Sequence, residues 1–145
     1  ATIADADATI TLGAGKDTLT IGAAGGLANI TATPTTVAEL TAKIVTVTDF
    51  KAAEDVLSIK AATPVVFDAA QVALIAGQAD LLAATKKAAE LAGTRKTVVF
   101  GFGTDSYIYQ NDGDAAVDGG DGLVKLTGVN VNDFNSAFNG NLVVA

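Results

Sequence analysis

The sequence contains no histidine, cysteine, methionine or tryptophan. Without His and Cys, Ser–His and Cys–His hydrolase arrangements are excluded, and so are imidazole- and thiolate-ligated metal sites. Without Cys no disulfide can form, so outside a cell the fold must rest on packing and hydrogen bonds alone. Basic residues are scarce: 9 Lys+Arg stand against 16 Asp+Glu, and Arg95 is the one arginine. A net charge of -7 and a pI near 4.3 exclude a nucleic-acid-binding surface. No apolar run reaches the roughly 20 residues that cross a bilayer, so no membrane span is expected. No basic segment precedes an apolar stretch at the start, so no Sec-type leader is expected. Charged residues make up only 17% of the chain, low for an intracellular enzyme, which points to an extracellular or cell-surface protein.

What is present suits a β-rich chain. The 145 residues fit one domain, and half of them are apolar, mostly Ala, Val, Leu and Ile. Gly and Asp gather in short runs between β-branched stretches. Ala8–Leu12 and Thr18–Ile21 read as strands around a Gly13–Asp17 turn. Ile10, Leu19 and Ala28 recur every nine residues, the period of a parallel β-roll. Thr36 and Glu39 fit a capping box ahead of a short helix over 37–43. Ile44–Thr48 and Val56–Ile59 read as strands joined by a polar turn holding Asp49, Lys51, Glu54 and Asp55. Asp68 and Gln71 cap a long helix over 68–92, with a stripe of Val72, Leu74, Ile75, Leu81, Leu82, Ala88 and Leu91. Gly93 ends it, and Gly77 is a place for a bend or break. Thr97–Phe102 and Ser106–Gln110 predict a hairpin, and strands follow at 123–127 and 141–145.

The expected fold is therefore mainly β, a β-roll or β-sandwich-like arrangement with one long amphipathic helix packed on it. Residues 1–30 supply roll-like strands, 31–67 a short helix and a strand–turn–strand cap, 68–93 the helix, and 97–145 the C-terminal strands with an apolar tail. No shift of composition divides 1–145, so a single domain is expected.

Two segments carry oxygen-rich chemistry. Leu12–Thr20 matches the nonapeptide Gly-Gly-x-Gly-x-Asp-x-(apolar)-x, with Leu12 in place of the first Gly. Gly13 and Gly15 would turn carbonyls inward and Asp17 would add a carboxylate, a set suited to Ca2+. The plainer reading is a Gly-rich turn joining two strands. Asn111–Gly122 places Asp112, Asp114, Asp118 and Asp121 together, and their repulsion would be relieved by a divalent cation. The plainer reading there is a solvated loop, and the spacing is not that of an EF-hand. Phe100, Phe102, Tyr107 and Tyr109 could form a sugar-stacking platform, but their strand spacing favours a packing face. No nucleophile–base set emerges, so no catalytic residue is assigned.

These segments, in this order, resemble the C-terminal regions of RTX-type proteins exported by bacterial type I secretion, RTX-like S-layer proteins included. The nonapeptide is one match. Val45–Ile59 is similar to the family's I-x-D-F-x-x-G-x-D-x-I-x-L strand–turn–strand, with Ala53 where the family's turn often has Gly. Asp105–Asp112 and Asp121–Val129 resemble its late pair of strands, and Leu142–Ala145 after Phe134 is similar to an uncleaved export signal. The matches cover about half of the chain, and the 68–92 helix separates them. The resemblance implies a non-enzymatic secreted module, Ca2+ as cofactor, and the type I machinery as partner. A self-assembling subunit of an extracellular filament or surface layer, associating through strand edges, is the alternative. A carbohydrate-acting enzyme is the outsider.

Overall fold

Parallel strands taken in chain order alternate between two sheets in the computed structural model, which describes residues 2–3, 7–21, 27–59, 67–93, 97–114, 116–133 and 142–144. The first sheet is all parallel, in the order β1 (Thr2–Ile3), β3 (Thr18–Ile21), β5 (Val56–Ile59) and β9 (Leu142–Val144). The second begins with β2 (Thr9–Ile10), β4 (Val45–Val47) and β8 (Gly122–Leu126), also parallel. It continues antiparallel through β7 (Asp105–Gln110) and β6 (Thr97–Phe102). Thr2 lies beside Thr20, so the first circuit takes 18 residues, twice the nine-residue period. Ile10 and Leu19 sit in opposite sheets, as the nine-residue spacing requires, but Ala28 lies exposed outside any strand. Later circuits are longer because helices and the β6–β7 hairpin are inserted between strands. Leu57 lies beside both Leu19 and Leu142.

The alternation of Thr with Leu or Ile explains β3: Leu19 and Ile21 are fully buried, while Thr18 is exposed. Val45 and Val47 of β4, Leu57 of β5, Val124 and Leu126 of β8, and Ile108 of β7 join them in one core between the sheets. Each such side chain stabilises by about 2 kcal/mol on burial. The second sheet is covered on its other face too. Val98, Phe100, Tyr107, Tyr109 and Leu123 pack with Leu81, Leu82, Ala84 and Ala88. Phe100 and Tyr107 stack with centroids 5.5 Å apart. The aromatic residues of the hairpin are thus core rather than a sugar platform, with Phe102 half-buried.

Helices depart from expectation. Helix and strand take similar shares, 25% and 26%, so the chain is mixed α/β rather than mainly β. Helix α1 (Val37–Thr41) has Thr36 as N-cap, as expected, but Glu39 reaches past it to the amide and hydroxyl of Thr35. The single long helix is replaced by α2 (Ala69–Ala76) and α3 (Leu81–Ala92). Asp68 and Gln71 form the full capping box of α2. The break has a local cause: Gly77 ends α2, and the Asp80 carboxylate accepts the Ala83 amide at 2.8 Å and starts α3. The break resets the phase of the apolar stripe. Leu74 is consequently 54% exposed, while Ile75, Leu81 and Leu82 are buried.

Candidate metal centre

Three of the predicted acidic residues come together. Oxygens of Asp112, Asp114 and Asp118 lie within 4.8 Å of one another, the one group among the described residues with the donors to hold a metal ion. Asp112 and Asp114 are exposed and Asp118 half-buried. Asp118 titrates above the ordinary carboxylate range, first because of desolvation and then because of the charges of Asp114 and Asp112. Gly120 makes room for the cluster. It sits at φ +111, and a Cβ there would fall 2.5 Å from Asp112 Oδ2.

Asp121 serves the loop differently. It is fully buried, and both oxygens are engaged by the protein. Oδ1 accepts the Asp112 amide at 2.9 Å, while Oδ2 accepts the Asp118 amide at 3.0 Å and the Tyr109 hydroxyl at 2.6 Å. One carboxylate therefore positions two of the three clustered residues. Burial raises Asp121 despite these donors, and burial followed by the Asp121 bond raises the Tyr109 hydroxyl far above its usual range. Sequence reasoning grouped Asp121 with the ligands. Its place directly before β8 was the available signal that it faces inward.

Gly13, Gly15 and Asp17 lie at the other end of the strands, in the turn from β2 to β3, whereas the acidic loop precedes β8. Gly13 and Gly15 do adopt φ near +100°, as the nonapeptide requires, but both are exposed with open space around them. The neighbouring carboxylates are committed to backbone. Asp49 accepts the Leu12 and Gly13 amides at 2.8 and 2.9 Å, which holds it below the ordinary carboxylate range. Asp55 is 2% exposed and accepts the Asp17 and Lys51 amides at 3.0 and 2.8 Å. Both were read in the sequence as polar turn residues. Their role was hidden because the amides of Leu12, Gly13 and Asp17 lie 36 to 38 residues earlier.

Two further features bear on function. Asn29, also missed, pins its loop to β8: its side chain donates to the Leu123 carbonyl and accepts the Leu123 amide. A cleft of about 490 Å3 lies between Val72 and Ala76 of α2 and the turns at Gly103 and Gly128. Its one ionisable lining residue is Asp105. That carboxylate accepts the Gly128 amide and pairs with Lys125 at 3.3 Å. The tail residues Phe134 and Phe138 and the Asn139–Gly140 turn lie outside the described residues. No family model matches this chain, and no curated protein matches it either.

Proposed function

We propose that the chain is a non-enzymatic structural module of a secreted, RTX-like bacterial surface protein. Its core is a β-roll, its acidic loop holds Ca2+, and its tail is read by a type I exporter. The observation that carries the reading is the alternation of parallel strands between two sheets, with a first circuit of 18 residues, twice the nine-residue period. Turn carboxylates from one circuit bind amides of the previous one, which suits a scaffold rather than a reaction centre. The calcium site is assigned to Asp112, Asp114 and Asp118, because their oxygens converge. Hard cations take six to eight oxygens, so carbonyls and water would complete the set. Gly13, Gly15 and Asp17 have no such convergence among the described residues.

Mass in solution and thermal melting, each with and without calcium, test this reading. Calcium at about a hundred times its dissociation constant should add about 2.7 kcal/mol, roughly 5 to 10 °C in melting temperature. Asp118→Asn should remove the increment and Asp17→Ala should leave it. A constant monomer mass supports the module. Growth into large assemblies would favour the alternative of a self-assembling layer subunit. Melting that ignores millimolar calcium would remove the metal from the account.

A further inference from the structure

The turn carboxylates follow a rule. Asp49 accepts amides of Leu12 and Gly13, and Asp55 accepts that of Asp17, in each case one circuit earlier along the chain. Asp17 holds the same register place as Asp55, since Thr18 lies beside Val56. By that rule its carboxylate should accept an amide one circuit earlier again. Thr2 lies beside Thr20, so this amide falls in register two positions ahead of Ala1. Asp17 Oδ2 is shielded from water and has no hydrogen-bond partner among the described residues. Such an acceptor is unfavourable unless something else supplies a donor. At the same end, β1 and β2 are the terminal strands of their sheets, each paired on one side only among the described residues. A level pair of open parallel edges is a template for more strands.

We propose that the β1–β2 end is a docking face for one further parallel coil, formed by polypeptide joined ahead of Ala1, with an amide of that coil on Asp17 Oδ2. The proposal rests on the β-roll reading and extends it to what covers one end of the roll. A second copy stacked head to tail fits poorly. At the far end the first sheet stops at β9, beside β5, while the second runs on past β8 through β7 and β6. Because β5 and β8 share a circuit, the second sheet extends one strand further than the first. A copy brought up until its β9 lay along β1 would set its β6 where β2 already is.

The test is a fusion. A copy of residues 45–56 placed directly ahead of Ala1 puts the amide of the residue copied from Asp55 at the required register place. The control carries the same residues in shuffled order. The fused segment carries the β4 strand but only the first residue of β5, so it should slow exchange of the β2 amides that face away from β4 by about tenfold and leave the outer edge of β1 unprotected. It should also melt several degrees above the control. Asp17→Ala should lower the melting point of the fused chain and not that of the original chain. Equal behaviour of fusion and control, or an equal effect of Asp17→Ala in both, would overturn the proposal. So would concentration-dependent oligomers of the original chain that protect the same amides, which would make the occupant a second copy. So would a calcium-induced stabilisation of the original chain that Asp17→Ala removes. Failure here leaves the calcium response of Asp118 unchanged, so it is distinguishable from failure of the functional reading.

Discussion

Asp55 ties two stretches of backbone with one buried side chain. Replacing it with Ala leaves the Asp17 and Lys51 amides without their acceptor, and bonds to a charged acceptor are worth about 1.5 to 3 kcal/mol each. Asp55→Ala should therefore lower the unfolding free energy by about 3 kcal/mol in urea titration, and a loss below 1 kcal/mol would contradict the role. The acidic loop carries charge of opposite consequence. Asp118 is raised in the folded state, so its ionised form destabilises the fold, and that penalty fades as pH falls towards its unfolded value near 3.8. Without calcium, Asp118→Asn should be more stable than the parent at pH 7 and equal to it near pH 4. A difference that is the same at both pH values would refute this. Asp49 and Glu39 run the other way: both are lowered by backbone donors, so the stability they contribute is lost as pH falls through their folded values. At this scale the sequence showed which residues sit in turns. It could not show that Asp49 and Asp55 serve an earlier circuit, because the partner lies far off in sequence.

Elements with a local code were legible and those with competing codes were not. Strands β3 and β5 match their expected bounds because Thr alternates with Leu and Ile in the first, and β-branched Val56 and Ile59 flank Leu57 and Ser58 in the second. The 68–92 segment was read as one helix with Gly77 as a place for a bend or break; it does break there, and the missed signal was the Asp80 cap that starts a second helix. Asp80→Ala should cost about 1 kcal/mol, the usual worth of an N-cap, measured by thermal unfolding. An effect near zero would mean that packing alone starts α3. Leu82, 7% exposed in the helix–sheet core, should cost about 2 to 5 kcal/mol as Ala, whereas Leu74→Ala should be nearly silent. The contrast between those two leucines checks the break of phase directly, since an unbroken helix would bury both.

Across the described residues, parallel strands coil between two sheets, and the later circuits are lengthened by insertions. The nine-residue period pointed to the first circuit, and it faded beyond Ile21 because later circuits carry helices and a hairpin. The pairing of Val45 with Val124, and of Leu57 with Leu142, spans most of the chain and has no local signal. The site was legible to the same degree: Asp112, Asp114 and Asp118 were picked as a group, whereas the inward role of Asp121 depends on Tyr109 beneath it. The tail has two roles in this account. Leu142–Val144 is the strand that pairs with β5 at the edge of the first sheet, and under the proposed function the same apolar end is the segment a type I exporter would read before folding. Export from a host carrying a type I transporter tests the central claim most directly, with the parent chain, a chain lacking residues 134–145, and Val144→Asp compared for secreted yield and for folding of purified protein. The account predicts that the truncated chain stays inside the cell and that Val144→Asp lowers secreted yield even where the purified variant still folds. A Val144→Asp chain that folds normally and is secreted at the parent's yield would contradict it.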